Sequence, residues 1–529
     1  MNAPALNPFT GRNVPWLLAE RAAMSTHELF LIWHPHSGAP QTVTYGEFAS
    51  RVDRVASGIS ELGVKSGDVV IIHLENCLEF LYSWFACSTL GVVSVTTNAN
   101  SAEGELEYFS RHSRAIAAIT QPSLFDRLKR SAAGLRWIAC TDHDAGEIPA
   151  DGSAVGDYVP FGRLMSSTGA APRLEAGELD IHNIMYTSGT TSRPKGVVYT
   201  HANVLWAAKV NSAHFGLTQR DIGYCFLPLY HANALFWQTM ATMWVGAALV
   251  LQPRFSATRF WDVSGRHGCT WTAHGPFVTL ALKKLPYPEQ HRFRFWGNAV
   301  GRNDEVMEAW GIPSLGWYGM TETVSQPILS DVQFPSDRNA MGRVTVEYEV
   351  AVTDESGEPC AVGEIGMLKV RGVRGVSLFP QYLHDPEATK AAFDPDGWFT
   401  TGDLVRVLPD GSIAFADREK DMMRVGGENV AASEVEAVIA SIEGVIDCAV
   451  VGKPHSFLNE TPAAFVVPAA EEPSLLAEIQ RRCARELAPF KCPKDIFFVE
   501  SLPRTALGKM DKKALREQLR PSESTGTQQ

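Results

Sequence analysis

The sequence predicts an α/β protein: a large multi-lobed N-terminal region holding two α/β sheet subdomains and a small β subdomain, then a smaller α+β C-terminal domain. Three observations carry that prediction. Short apolar strands alternate with amphipathic helices from Thr44 to Val95, the alternation starts again after Asp180, and a compact α/β pattern is rebuilt beyond Asp417. Such alternation implies layered sheets with mainly parallel strands. At 529 residues the chain exceeds one ordinary domain and allows several cores.

Thr44-Tyr-Gly-Glu47 fits a capping box, and Phe48, Val52, Val55, Ile59 and Leu62 recur at helical spacing until Gly63 stops the helix. Asp68 to Leu74 reads as a strand, Leu78 to Leu90 as a helix closed by Gly91, and Val92 to Val95 as the next strand. After Asp180 come a strand at Ile184 to Tyr186, a hydroxyl-rich loop, a strand at Val197 to Thr200 and a helix from about Ala202. Leu235 to Leu251 falls short of the roughly 20 apolar residues of a membrane span and reads as a buried helix running into a buried strand. Tyr348 to Thr353, Gly366 to Val370 and Ser412 to Phe415, set between Gly and Pro turns, suggest the small β unit. Farther on, Val435, Val438, Ile439 and Ile442 share one helix face, Ala449 to Val451 is a strand, and Leu475, Ile479, Cys483 and Leu487 share another helix face. A C-terminal domain of about 110 residues is of plausible size.

Apolar residues at 45% and charged residues at 20% belong to a folded globular protein, and only the tail after Arg520 reads as disordered. A formal charge of −12 argues against nucleic acid as a partner. The nine cysteines show no Cys-x-x-Cys and no regular framework, as expected of idle thiols in a reducing compartment. The opening residues have neither a basic n-region nor an apolar h-region, so a cytoplasmic location is expected.

From Tyr186 to Val197, the hydroxyls of Thr187, Ser188, Thr190, Thr191 and Ser192 surround Gly189 and lead to Pro194-Lys195-Gly196. Hydroxyls, unhindered backbone N–H groups and one ammonium are what a polyphosphate needs. Pro194 excludes a Walker A loop, which requires Gly before Lys. A polar surface turn is the plain alternative.

This segment resembles the phosphate-loop signature of the adenylate-forming superfamily, which holds acyl-CoA ligases, peptide-synthetase adenylation domains and luciferases; only Ser192, where Gly is usual, departs. Tyr318-Gly-Met-Thr-Glu-Thr323, Thr401-Gly-Asp403, Asp417-Arg-Glu-Lys-Asp421 with Gly426-Gly-Glu-Asn429, and Leu502-Pro-Arg-Thr-x-x-Gly-Lys509 resemble its later motifs, in the right order. The resemblance implies an AMP-forming acid–thiol ligase: a carboxylate attacks the ATP α-phosphate, and the thiol of coenzyme A then displaces AMP from the acyl-adenylate. It also implies an AMP-binding N-terminal domain over residues 1–419, a mobile C-terminal domain over 420–520 and a tail over 521–529.

By matching positions, Thr187, Ser188, Gly189, Thr190, Thr191 and Lys195 would wrap the β and γ phosphates. Tyr318 and Gly319 would lie against adenine, Asp403 and Arg418 would hold the ribose, Thr321 would contact the α-phosphate, and Glu322 would ligate Mg²⁺. Lys509 would bind both the incoming carboxylate and the α-phosphate oxygen, although a lysine near a C-terminus is by itself more often just solvated. Lys420 matches the hinge about which the C-terminal domain swings, and Gly426 and Gly427 would face the pantetheine tunnel.

Leu227-Pro-Leu-Tyr-His231 resembles the segment that closes the acyl pocket, which makes His231 a pocket residue with a role in thioester formation. Trp237 and the stretch Trp296-Gly297-Asn298 match the pocket walls; if both tryptophans point inward, a compact acid is preferred, and if not they belong to the core. No carrier domain follows Lys509 and no Asp stands near His231 to pair with an α-ammonium, so free CoA is the expected acceptor. Loading of a carrier protein, a luciferase-type oxygenase and a catalytically dead ATP-binding protein are the rivals. Thr-Ser-Arg-Pro in the loop, Gln290-His-Arg292, Asp396-Gly-Trp398 and Arg424 to Val430 resemble crotonobetaine/carnitine CoA ligases, without identifying the acid. The expected partners are a small carboxylic acid, ATP and CoA, with no nucleic acid and no membrane span; a homodimer is left open.

Overall fold

The structure is a computed structural model that describes residues 6–101, 103–148, 157–169, 171–172, 176–187, 194–298, 304–331, 333–337, 340–418, 422–425, 428–455, 458–470, 473–487, 489–504 and 510–519. The chain divides into two compact units. The first comprises Met1–Val350, Val370–Thr400 and Asp410–Ile413, and the second Ala351–Lys369, Thr401–Pro409 and Ala414–Gln529.

The first unit is built on two sheets. One has the strand order Val159–Pro160, Trp137–Cys140, Ala117–Thr120, Val69–His73, Val93–Thr96, Ile181–Thr187 and Lys195–Thr200. All its pairs are parallel except the last, a hairpin. The other runs, within this unit, from Ala340–Val344 through Ile328–Leu329, Ser314–Tyr318, Phe295–Asn298, Trp271–His274, Ile222–Cys225, Ala248–Leu251 and Leu29–Trp33 to Gln41–Thr44. Its central strands are parallel and almost wholly buried, as expected when helices cover both faces.

The expected helix after Thr44 spans Tyr45–Glu61 with both capping-box bonds formed, Thr44 N to Glu47 Oε2 at 2.9 Å and Glu47 N to Thr44 Oγ1 at 3.2 Å. Its apolar face, including Phe48, Val52, Val55 and Ile59, is buried, and Gly63 ends it with φ +83°. The helix His201–His214 repeats the device with Thr200 and Asn203. The Leu235 to Leu251 reading holds with one change. Residues Asn233–Met240 form π-helical turns that pass into an α-helix at Ala241–Val245 before the strand Ala248–Leu251. Thr239 Oγ1 donates to the Ala234 carbonyl at 2.8 Å, five residues back. An all-round apolar segment carries no period from which that widening could be read, and such turns are frequent at functional sites.

The second unit holds a meander, with strands Glu349–Thr353, Ile365–Arg371, Trp398–Val407 and Ile413–Arg418 as successive neighbours, and a separate sheet in the order Glu428–Ala431, Met422–Val425, Asn459–Pro468, Val445–His455, with Asp495–Phe498 beside Asn459–Pro468. The helices Ala432–Ala440 and Leu475–Glu486 bury Val435, Ile439, Leu475, Ile479 and Cys483 against that sheet, the residues whose spacing marked them. No helix among the described residues is long and apolar enough to cross a membrane.

Candidate active site

The ends of the phosphate-loop segment lie on the paired strands Ile181–Thr187 and Lys195–Thr200, with Thr187 opposite Lys195 and Tyr186 opposite Gly196. Ser188, Gly189, Thr190 and Thr191 lie outside the described residues. Both stems are held from the helix Glu103–Ser113: Tyr108 donates its hydroxyl to the Pro194 carbonyl at 3.1 Å, and the His112 Nδ1 and Tyr186 hydroxyl are 2.9 Å apart. Lys195 points its ammonium at the Tyr382 ring, 4.7 Å from the centroid.

Tyr318 ends the strand Ser314–Tyr318, and Thr321, Glu322 and Thr323 form one 3₁₀ turn directly after it. Every carbonyl of the stretch from Thr321 to Val324 is engaged. Tyr199 donates to the Thr321 carbonyl at 2.7 Å, Phe379 N to that of Glu322 at 3.0 Å, Tyr348 to that of Thr323 at 2.8 Å and Trp237 Nε1 to that of Val324 at 2.8 Å. Val324 has φ +64°, a conformation costly for a β-branched residue, and these donors hold it there. The Glu322 side chain is buried and its Oε1 accepts from the Tyr382 hydroxyl at 3.0 Å. Burial and the neighbouring Glu322 keep the phenols of Tyr199 and Tyr382 protonated far above neutral pH.

Consecutive residues of a strand face opposite sides, and the strand Phe295–Asn298 divides the expected pocket residues accordingly. Trp296 is fully buried in an aromatic core, stacked on Trp261 at 5.7 Å and packed against Phe260, Phe293 and Trp310. Gly297 faces the other way, where a Cβ would come within 1.8 Å of the Trp317 ring. Trp317 meets Trp237 edge to face at 6.2 Å, and a Cβ on Gly319 would lie 2.9 Å from the Trp237 ring. Two glycines therefore leave room that two indoles fill. Asn298 is buried and donates to Ser314 Oγ at 2.9 Å. His231 is half-buried beside Tyr230, whose phenol burial pushes up to about 12.

In the second unit, Asp403 is buried after Gly402, whose φ is +75°, and its N–H donates to Thr401 Oγ1 at 3.1 Å. Arg418 ends the strand Ile413–Arg418. Lys420, Gly426, Gly427 and Lys509 lie outside the described residues; Arg504 and Met510 are joined by a bridge, and Asp511 N donates to the Pro503 carbonyl at 2.9 Å.

Three residues of the first unit belong to no motif read from the sequence. Tyr382 and Trp317 are described above. His274 ends the strand Trp271–His274, next to Asn298 in register, with its Nε2 buried and without a hydrogen-bond partner among the described residues. Desolvation pushes its pKa down to about 4, against a smaller opposite effect of the Gly275 carbonyl, so it is neutral at pH 7. Trp317 alone had a usable signal, an aromatic directly before the Tyr318 motif.

Residues 18–383 match the model of the AMP-binding enzyme family, and residues 434–509 that of the AMP-binding enzyme C-terminal domain. The chain belongs to the AMP-binding enzyme family. It is 32% identical to a crotonobetaine/carnitine–CoA ligase of Escherichia coli O7:K1, over 96% of this chain and 99% of that one. Its fold is similar to the benzoate CoA ligase from Burkholderia xenovorans LB400, with a TM-score of 0.83, 25% identity and coverage of 95% and 99% of the two chains. It is similar also to the O-succinylbenzoate coenzyme A synthetase from Bacillus subtilis in complex with ATP and magnesium, with a TM-score of 0.81, 26% identity and coverage of 96% and 99%. The reaction class is AMP-forming acid–CoA ligation, with ATP, Mg²⁺ and CoA as its requirements.

Magnesium fits the turn around Glu322. Mg²⁺ is usually held by one or two carboxylates together with substrate phosphates and water, and Glu322 would supply one carboxylate on a rigidly held turn. Among the described residues there is no cluster of three or more His, Cys, Asp or Glu able to hold a metal by protein ligands alone.

Proposed function

We propose that this ligase activates a compact carboxylic acid and transfers it to free CoA. The observation that carries the proposal is the pair of indoles, Trp237 and Trp317, filling the space beside Gly319 and Gly297. With the acyl group lying along the helical segment Asn233–Met240, between His231 and the strand residues Gly297 and Asn298, that filling leaves little depth for a long straight chain. A trimethylammonium acid, as in the name of the E. coli relative, would find indole faces that attract cations. A benzoate would use the same faces by stacking.

In the same reading, Lys195 and the hairpin tip hold the β and γ phosphates, Tyr318 and Gly319 flank adenine, and Asp403 and Arg418 hold the ribose. Thr321 contacts the α-phosphate, Glu322 ligates Mg²⁺, and Lys509 neutralises charge between the carboxylate and the α-phosphate, where a positioned cation contributes most. When bound, Mg²⁺ offsets charge on the phosphate oxygens. Residues 1–419 act as the AMP-binding domain, and residues 420–520 move about Lys420 so that Gly426 and Gly427 face the pantetheine arm. The enzyme works in the cytoplasm, and a homodimer is compatible with this reading.

A panel of carnitine, crotonobetaine, short and long fatty acids, benzoates and alicyclic acids, scored for AMP and acyl-CoA, tests the proposal. Turnover of compact acids with CoA, and none of long straight-chain acids, is expected. Preference for long chains, or CoA-independent loading of a phosphopantetheinyl protein, contradicts it. Lys509→Ala is expected to slow adenylation at least ~100-fold while a supplied acyl-adenylate still reacts with CoA; full adenylation by this variant refutes the role of Lys509.

A further inference from the structure

Tyr382 touches two groups of opposite charge. Its hydroxyl donates to Glu322 Oε1 at 3.0 Å, and the Lys195 ammonium sits 4.7 Å from its ring centroid. Backbone bonds on every side fix that position. Tyr382 pairs with Val197 in an antiparallel bridge, Val198 N donates to the Gln381 carbonyl at 3.1 Å, and Leu383 N to that of Gly196 at 2.7 Å. Its own N–H donates to Thr389 Oγ1 at 2.9 Å, and Phe379, three residues earlier, bonds the Glu322 carbonyl. The segment from Phe379 to Leu383 is thus laced to the phosphate hairpin along one edge and to the Glu322 turn along the other.

An ammonium and a carboxylate placed this near one another tend to pair directly, and pairing would withdraw both from a Mg²⁺–nucleotide complex. Lys195 makes no ion pair among the described residues; the aromatic face is its neighbour. A cation–π contact is weak enough for phosphate oxygens to replace. An O–H donor occupies one of the roughly four lone-pair positions of a carboxylate and orients the group without neutralising it.

We propose that Tyr382 is a positioning residue for adenylation. Its hydroxyl aims the Glu322 carboxylate for Mg²⁺, and its ring parks the Lys195 ammonium within reach of the phosphates while keeping it from that carboxylate. The proposal rests on the roles assigned above to Glu322 and Lys195.

The test is ATP binding to the full-length chain, without acid or CoA, by calorimetry in EDTA and at saturating Mg²⁺, for wild type, Tyr382→Phe, Tyr382→Leu and Glu322→Gln, with melting temperatures as a control. Tyr382→Phe keeps the ring and loses the donor, so affinity in EDTA stays within twofold of wild type while the gain produced by Mg²⁺ shrinks about tenfold. Tyr382→Leu loses the ring as well and binds more weakly in EDTA too. An unchanged Mg²⁺ gain in Tyr382→Phe overturns the proposal, as does an equal loss in EDTA and in Mg²⁺ that tracks a lowered melting temperature. Glu322→Gln separates the two levels. If it leaves the Mg²⁺ gain intact, the assignment of Glu322 fails; if it abolishes the gain while Tyr382→Phe does not alter it, only the role of Tyr382 falls.

Discussion

The sheet that carries Trp271–His274, Phe295–Asn298 and Ser314–Tyr318 has two faces with different composition and different duties. On one, Trp296 is locked among Trp261, Phe260, Phe293 and Trp310, with His274 5.3 Å away, in a closed aromatic core. On the other, Phe215 packs within 6 Å of Trp271, Phe295 and Trp317, and the glycine at 297 makes room for Trp317, which in turn meets Trp237. Around Trp296 the first face is filled by side chains of its own strands and of the covering helices. The second is built around missing side chains, and its filling is tied through the Trp237 indole N–H to the Val324 carbonyl and the Glu322 turn. Whether a tryptophan is core or wall depends on which face its strand register gives it.

The contrast can be broken by substitution on each face. Trp296→Ala is expected to cost about 3–5 kcal/mol of stability, read from urea unfolding, and to leave the ranking of acids unchanged among folded molecules. A changed ranking would place Trp296 at the site. Gly297→Ala, with its Cβ directed into the Trp317 ring, is expected to cost about 1–3 kcal/mol and also to lower kcat/KM by moving the indole. Equal activity at reduced stability would remove this face from the site.

A smaller effect comes from the buried histidines. His274 has a folded pKa near 4, lowered by desolvation, against an unfolded value of 6.5. The unfolded chain therefore binds the extra proton first, and the contribution of His274 to stability is intact above pH 6.5 and declines as pH falls toward 4. His201, also near 4, and His73, near 3, are lowered by the same cause and add in the same direction. Between pH 7 and pH 5, His274→Gln is expected to flatten the loss of stability by about 1–2 kcal/mol, measured by urea unfolding across that range.

Much of this was legible in the sequence because it is local. The capping box at Thr44, the stop at Gly63 and the hairpin stems around the hydroxyl run depend on a few neighbouring residues. The family followed from motifs that keep their spacing. The faces did not follow, because the alternation within Phe295–Asn298 assigns Trp296 and Gly297 to opposite sides only once the register with Trp271–His274 and Ser314–Tyr318 is known. Tyr382 was invisible for the same reason. Its meaning comes from partners 60 residues away at Glu322 and on the hairpin, which no local pattern encodes. The π-helical turns around Trp237 leave no trace in hydrophobic periodicity and set the direction of that indole.

The central claim is that Trp237 and Trp317 limit the acid. Its most direct test is the acid profile of Trp237→Leu beside wild type, from acyl-CoA formed in competition between a short and a long straight-chain acid. The account predicts a shift of at least about tenfold toward the longer acid, the value of a few methylenes finding an apolar site. An unchanged ratio in a folded, active variant would contradict it.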